Sequence, residues 1–149
     1  MALEQEVMQK MKEAMKAKDS VALASLRSIK NEILKAKTAT SNKEDMDETE
    51  ELKLVQRLVK QRRDSADVYL EQNRKDLADV ELAEVEVIEQ FLPAQLSEDE
   101  IDEEVKAIIQ ESGASTMKDM GKVMGMASQK LVGKADGKTI SKIVKDNLS

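Results

Sequence analysis

Cysteine and histidine are both absent from this 149-residue chain. Without cysteine there is no disulfide, no thiolate nucleophile and no thiolate metal ligand. Without histidine the commonest general base near neutral pH and the commonest zinc ligand are missing as well. The usual metal centres and nucleophile–base pairs are therefore excluded, and we predict no metal, no cofactor and no catalytic residue.

Aromatic residues are almost as scarce, since the chain has one Phe, one Tyr and no Trp. Single-strand binders and RRM folds stack bases on several aromatic side chains. Phe91 and Tyr69 cannot form such a platform, which excludes that class of nucleic-acid-binding protein. The opening MALEQEVMQK is charged, and no apolar stretch reaches the length of a signal peptide or a membrane span. We therefore predict a cytoplasmic location and no membrane partner.

Motifs of the common enzyme classes are missing too. The chain has no Gly-rich phosphate loop, no GxSxG, no DxDxDG and no HExxH. Charged side chains near predicted apolar stripes are the remaining candidates for acid–base chemistry, but structural ion pairs perturb carboxylates in the same way. We interpret them as an ion-pair network between two antiparallel helices: Arg62, Arg63, Asp64, Arg74, Asp76, Glu81 and Glu84.

What the chain does contain is helix formers. Ala, Leu, Met, Glu, Lys and Gln dominate, with 5 Gly and a single Pro, and 40% of the residues are hydrophobic. No segment alternates with the period of a strand. The composition predicts an all-α fold.

A break in the helical pattern at Phe91–Leu92–Pro93 predicts two domains, because proline disfavours helix at the residue before it. Ser97 and Glu100 have the spacing of a capping box that starts a new helix. We predict an N-terminal bundle of about four helices over residues 1–92 and a small three-helix domain over residues 97–149, joined by Pro93–Leu96.

Apolar residues three and four apart define the predicted helices of the first domain. Asp19 or Ser20 is expected to cap the second helix and Asp47 or Thr49 the third, with a polar loop over residues 38–44 and a helix end near Asn73. The inward residues are predicted to be Leu3, Val7, Met11, Ala14/Met15, Ala22, Leu26, Ile29, Ile33, Leu52, Val55, Leu58/Val59, Ala66, Tyr69, Leu77, Val80, Val85 and Ile88.

Three short helices are predicted in the second domain, over about 98–111, 116–131 and 137–148. Gly113 is placed to end the first, and Asp136 to cap the third. In the middle helix Met117, Met120 and Met124 are expected to face the core and Met126 to point elsewhere. The remaining inward residues are predicted to be Ile101, Val105, Ile108, Ile109, Ala127, Leu131, Ile140, Ile143, Val144 and Leu148.

Charge is unevenly distributed along the chain. Residues 1–43 carry a net +4, residues 44–111 a net −14 and residues 112–149 a net +4, within an overall −6. On a helical wheel the lysines of the last two helices lie opposite the apolar side. Such lysines neutralise phosphates without reading bases, as in shape recognition of folded RNA, although a solvated helix face has the same pattern. The candidate nucleic-acid-binding residues are Lys118, Lys122, Lys130, Lys134, Lys138 and Lys142.

Two glycines interrupt the predicted middle helix of the second domain. Gly121 and Gly125 each cost a helix about 1 kcal/mol relative to alanine, so a compensating contact is expected. Either another helix packs closely against them, which we favour, or the backbone of a ligand approaches there.

Several segments resemble the YqeY-like family: KQRRDSADVY (60–69), NRKDLADVELAEVEVIEQFLPAQLSEDEI (73–101), DMGKVMG (119–125) and GKADGKTISKIVKDNL (133–148). That family shares a domain, the GatB/YqeY domain, with the tail of the B subunit of glutamine-dependent aspartyl/glutamyl-tRNA amidotransferase. The resemblance to that tail is strongest in the last two segments. It implies a helical N-terminal part and a C-terminal three-helix bundle that, in the amidotransferase, contacts tRNA.

The resemblance also implies a link to carbon–nitrogen ligase activity with glutamine as the amide-nitrogen donor. The kinase-like cradle and the amidase site of the amidotransferase have no counterpart in this sequence. Our leading hypothesis is a non-catalytic module that binds tRNA, or a tRNA-modifying or amidotransferase complex. The alternatives are a protein–protein adaptor that uses the acidic middle or the face with Gly121 and Gly125, and an accessory subunit that contributes to ligase function in trans.

Overall fold

The all-α fold is confirmed in the computed structural model, which describes residues 2–39 and 46–149. These residues form seven α-helices and one turn of 3₁₀ helix, and no strand occurs among them. None of these helices is both long and apolar enough to cross a membrane. The chain divides into two compact units, residues 1–92 and 93–149.

The first unit contains four helices. Their bounds are Ala2–Ala17 (α1), Ser20–Ala39 (α2), Glu48–Glu71 (α3) and Lys75–Glu89 (α4). Asp19 accepts a hydrogen bond from the backbone N–H of Ala22 at 3.0 Å, and Asp47 accepts one from Glu50 at 2.8 Å. Each carboxylate therefore satisfies an amide at a helix start. Of the predicted loop over residues 38–44, Thr38 lies in α2 and residues 40–44 lie outside the described residues.

One continuous hydrophobic core holds the first unit together. Its largest fully buried side chains are Leu26, Ile29, Ile33, Leu58 and Ile88, all at inward positions of the predicted stripes. Leu52, Met11 and Tyr69 are only half-buried. The core also includes Leu54, which the stripe spacing missed because α3 contacts more than one helix and buries a wider face.

Two inward predictions in this unit are wrong. Val80 is 53% exposed and Met15 is 60% exposed. Ala78 is buried in α4 instead, and because residues two positions apart on a helix face nearly opposite sides, Val80 points to solvent. Met15 occupies the last turn of α1, where the chain turns into α2 and Ala14 faces the core.

The second unit contains three α-helices: Glu98–Ser112 (α5), Met120–Lys130 (α6) and Gly137–Leu148 (α7). Ser97 and Glu100 form the predicted capping box, with hydrogen bonds of 3.2 Å and 3.0 Å, and Gly113 ends α5 in the left-handed region at φ 73°. The predicted helix over residues 116–131 begins as a 3₁₀ turn, Met117–Asp119, before α6. A separate core is buried among these helices.

Methionines are less buried in this core than the sequence pattern predicts. Met117 is exposed, Met120 and Met124 are half-buried, and Met126 packs against the core rather than away from it. Val123 is fully buried and occupies the centre of the inward face of α6. Of the residues predicted to face the core, only Met117 is wrong, because the 3₁₀ turn shifts the helical phase there, whereas Met120, Met124, Ala127 and Leu131 belong to or pack against the core.

Candidate nucleic-acid interface

The helix α7 presents one apolar face and one cationic face. Ile140, Ile143, Val144 and Leu148 are buried, while the lysines on the opposite side are exposed. Asp136 fixes the start of the helix by accepting a hydrogen bond from the backbone N–H of Thr139 at 3.4 Å. The burial of one side forces the other toward solvent. The exposed lysines of α7 are Lys138, Lys142 and Lys145, the last of which the candidate set omitted.

Two further lysines lie at the start of α6. Lys118 is exposed on the 3₁₀ turn, and Lys122 is exposed on α6. The turn is stabilised by Asp119, whose carboxylate accepts hydrogen bonds from the backbone N–H groups of Ser115 and Thr116 at 3.0 Å and 3.4 Å. Lys122 Nζ donates to the Ser112 carbonyl at 3.4 Å, a long contact that leaves most of its hydrogen-bonding capacity unused.

The segment between α6 and α7 carries Lys130 and Lys134, which differ in their surroundings. Lys130 Nζ lies 2.8 Å from Glu104 Oε2 of α5, and the interaction with this carboxylate raises the pKa of the lysine. Lys134 is exposed and has no ion-pair partner among the described residues. Lys134 is held in place by its own carbonyl, which accepts a hydrogen bond from Leu96 at 2.9 Å. Of the six candidate lysines, Lys130 is therefore the one already neutralised by a carboxylate.

Gly121 and Gly125 lie on the exposed side of α6, next to Lys122. A Cβ atom placed on either glycine would meet no other atom within 4 Å. Close packing of another helix, the alternative that we favoured, is therefore wrong for the described part of the chain. The approach of a ligand or partner backbone is the alternative that remains.

Replacing both glycines with alanine should stabilise the second unit. Because each site is open and helical, each substitution is expected to raise the free energy of unfolding by up to about 1 kcal/mol. If a partner backbone approaches this face, the same G121A/G125A variant binds it more weakly despite being more stable. Thermal denaturation checks the gain in stability, and a binding assay checks the loss of affinity for the partner. Unchanged binding would mean that the glycines do not contact a partner.

Most acidic residues of the second unit lie on α5. Glu98, Asp99 and Glu100 occupy its first turn. Asn147 of α7 donates a hydrogen bond to Asp102 of α5 at 2.8 Å, which lowers the pKa of that carboxyl together with Lys106. The unit is therefore electrostatically polarised, with an anionic outer face on α5 and a cationic outer face on α6 and α7.

The candidate ion-pair network of the first unit contains Arg62 at its centre. Arg62 Nε lies 3.5 Å from Glu84 Oε2, and its Nη2 donates to Ser28 Oγ at 2.6 Å. Arg62 thereby joins α2, α3 and α4. Glu81 faces the same region, and burial, together with repulsion from Glu84, raises the pKa of its carboxyl.

The other members of that network have separate partners. Arg63 pairs with Glu89, Arg74 with Asp76 at 3.1 Å, and Asp64 with Lys60 at 2.8 Å. Sequence spacing missed both Glu89 and Lys60 as partners. These pairs connect neighbouring turns and helices, which supports the interpretation as a structural network.

Glu81 predicts a pH dependence of stability. Its pKa in the folded state lies above the ordinary 4.5, so the folded state binds this proton more tightly than the unfolded state, and stability increases as the pH falls through the raised pKa. We expect Glu81→Gln to stabilise the first unit at pH 7, by less than about 1 kcal/mol, and the gain to disappear near pH 4.5. Thermal denaturation at both pH values checks this, with the exposed Glu86→Gln as the control that should have no effect.

No group of three or more acidic side chains among the described residues is arranged to hold a metal ion. The predictions of no metal, no cofactor and no catalytic residue stay predictions.

Comparison with known proteins supplies the family context. Residues 4–148 match the family described as Yqey-like protein. The chain is also similar to the protein named Altered inheritance of mitochondria protein 41, mitochondrial, from Lachancea thermotolerans, with 36% identity over 104 residues, 68% of this chain and 54% of the relative. The chain thus spans about half the length of that relative. Because the relative is named as mitochondrial, the cytoplasmic location is not confirmed.

Proposed function

The chain belongs to the YqeY-like protein family, and from this membership we propose a non-catalytic helical module that binds tRNA, or a tRNA-handling complex, through the lysine face of its second unit. We define the lysine face as Lys118, Lys122, Lys134, Lys138 and Lys142. Lys130 is left out because Glu104 already pairs with it.

The observation that carries the proposal is that this face is cationic and available. None of its five lysines has an ion-pair partner among the described residues, and all five are exposed. Lys138 and Lys142 are four residues apart on one helix, which separates their Cβ atoms by about 6 Å. Adjacent ammonium groups of this kind neutralise several phosphates of one folded RNA and release the counterions bound there.

The means of recognition follows from what the second unit does not contain. Phe91 and Tyr69, the two aromatic residues of the chain, both belong to the first unit. Base stacking is therefore not available on the lysine face, and binding depends on phosphates and on RNA shape. We expect modest affinity and little sequence preference.

The arrangement of the helices enters the proposal as well. We propose that α1–α4 form a four-helix bundle and that α5–α7 form a three-helix bundle related to the tail of the amidotransferase B subunit. In this account the chain takes part in glutamine-dependent amide transfer only as a binding module for tRNA.

The salt dependence of tRNA binding tests the proposal. With five lysines involved, we expect the logarithm of the association constant to fall with the logarithm of the salt concentration with a slope of about −3 to −5. Filter binding of labelled tRNA to the purified chain at several salt concentrations, from about 50 to about 200 mM, measures this slope. A signal equal to that without RNA at low salt would reject tRNA binding.

A protein adaptor is the second candidate function. The specific observation in its favour is the open face of α6 at Gly121 and Gly125, which has room for a partner helix. A stoichiometric protein recovered with the chain after RNase treatment would favour this function. The accessory-subunit alternative predicts altered product formation when the chain is mixed with amidotransferase subunits, and no change would reject it.

The cytoplasmic location is kept as a proposal. Fractionation of cells followed by immunodetection of the chain tests it, and recovery in an organelle fraction would contradict it.

A further inference from the structure

Among the described residues of the first unit, eight large apolar side chains are exposed, four on α1 and α2 and four on α3 and α4. Met8 is 44% exposed, Met15 60% and Leu34 45%. Met11 and Leu23 are half-buried and pack against the core. Single exposed apolar residues are ordinary, but a cluster of them on one face requires an explanation.

The register of α1 and α2 brings these residues to one groove. Lys37 Nζ contacts Glu4 Oε2 at 2.7 Å across the two antiparallel helices. Glu4 and Met8 are one turn apart on α1, and Leu34 and Lys37 are one turn apart on α2, so Met8 and Leu34 lie on the same side of the helix pair as the Glu4–Lys37 contact. Further along, Met15 and Leu23 line a depression of about 290 Å³ beside the turn into α2. We call this surface the methionine groove: Met8, Met11, Met15, Leu23 and Leu34.

Cationic side chains flank the methionine groove. By helical spacing, Lys12 and Lys16 lie on the outer side of α1 beside Met8 and Met15, and Arg27 and Lys30 lie on α2 beside Leu23 and Leu34. None of these four has an ion-pair partner among the described residues.

Four of the five acidic residues on or directly before these helices are already engaged, and the fifth, Glu6, lies by helical spacing on the side of α1 opposite Met8 and Met15. Glu4 is held by Lys37, Glu13 pairs with Lys10 at 3.8 Å, and Glu32 contacts Arg57 of α3 at 3.2 Å. Asp19 caps α2. The electrostatic potential along the groove is therefore positive and uncompensated.

We propose that the methionine groove docks an acidic amphipathic α-helix of a partner protein. The apolar stripe of such a helix would cover the methionines and leucines, and its glutamates and aspartates would meet Lys12, Lys16, Arg27 and Lys30. Unbranched methionine side chains adapt to partners of different shape. This inference concerns the first unit and does not depend on tRNA binding by the second.

Two other classes of anionic partner, nucleic acids and anionic membranes, fit the groove less well. A phosphate backbone would satisfy the lysines but leave the half-exposed methionines and leucine in water. Surfaces that insert into membranes carry large aromatic side chains at the interface, and α1 and α2 contain no Phe, Tyr or Trp.

Fluorescence anisotropy with a synthetic peptide tests the proposal on the full chain. The probe is a labelled helical peptide of about 18 residues, long enough to span a helix of the length of α1, with leucines at i, i+3, i+4 and i+7 and glutamates at the flanking positions. A peptide of identical composition in scrambled order controls for charge alone. We expect saturable binding of the amphipathic peptide, at least about tenfold tighter than that of the scrambled one.

Variants of the chain locate the binding. K12E/K16E and M15Q are each expected to lower the affinity of the chain for the peptide at least about fivefold. V68Q, which replaces an equally exposed apolar side chain of α3, is expected to have no effect. Because these side chains are exposed, unchanged thermal denaturation should accompany all three variants.

Four results would overturn the proposal. Two concern the peptide: equal binding of the scrambled peptide, or binding that neither groove variant affects. The other two are tighter binding to vesicles containing phosphatidylserine than to the peptide, and self-association of the chain without peptide that K12E/K16E abolishes. K138E/K142E is expected to keep full peptide binding, so failure of this inference and failure of the tRNA proposal give different results.

Discussion

Reversing the charge of Lys138 and Lys142 to glutamate is expected to lower the affinity of the chain for tRNA on the order of 100-fold at low salt. Each charge-assisted contact to a phosphate contributes roughly 1.5 kcal/mol or more, and tenfold in affinity corresponds to about 1.4 kcal/mol. The slope of binding against salt should also become shallower by about 2, one unit for each lost phosphate contact. Filter binding over a salt series measures both quantities.

The matched control is K12E/K16E, which changes the net charge equally and also replaces two lysines four residues apart on one exposed helix face. If only the overall charge of the chain mattered, the two double variants would lose the same amount of affinity for tRNA. The lysine face predicts that K12E/K16E stays within about twofold of the unmodified chain under the same conditions, because Lys12 and Lys16 are not part of the proposed interface. Equal losses would contradict a localised interface.

Replacing Ile140 with alanine is expected to destabilise the second unit by about 3 kcal/mol. Ile140 is 2% exposed in the core of that unit, and truncation of a buried isoleucine leaves a cavity that the neighbours fill only partly. A unit of this size has a total stability of about 3–8 kcal/mol, so the substitution removes a large share of it. Binding to tRNA should fall in parallel, because the lysine face depends on α7 being folded.

Urea denaturation followed by far-UV circular dichroism and by limited proteolysis resolves the effect. Because Ile140 and Ile33 belong to separate cores, Ile140→Ala should expose cleavage sites within residues 93–149 first. Ile33→Ala should instead expose sites within residues 1–92. If either substitution lowers the stability of both units equally, the two cores do not unfold independently.

Helical periodicity was sufficient to predict the fold class and most of the buried residues. The strongest case is α7, whose apolar residues recur at regular spacing and whose Asp136 cap and exposed lysines were all identified. Capping chemistry is similarly local, so the Ser97–Glu100 box and the left-handed Gly113 were predictable from short segments.

Tertiary packing accounts for the errors. Val80 and Met15 satisfy the periodic pattern yet are exposed, because which side of a helix is covered depends on its neighbours and not on its own sequence. The 3₁₀ turn before α6 changes the helical phase and misplaces Met117. Neither feature has a signal in the spacing of apolar residues alone.

For the candidate site, the sequence identified the lysines but not their partners. Pairing of Lys130 with Glu104 joins residues from two helices and depends on how α5 and α6 pack. The openness of Gly121 and Gly125 is likewise a tertiary property, since the same glycines would suit close helix packing. Charge separation within the second unit, by contrast, followed from net charge along the chain.

Lysine acetylation of the purified chain with and without tRNA, read by mass spectrometry, is the most direct measurement of the lysine face. The account predicts that tRNA slows acetylation of Lys134, Lys138 and Lys142 while Lys12 and Lys53, exposed lysines of the first unit, react at unchanged rates. Saturating tRNA that leaves the acetylation rates of Lys134, Lys138 and Lys142 unchanged, or slows all five lysines equally, would contradict it.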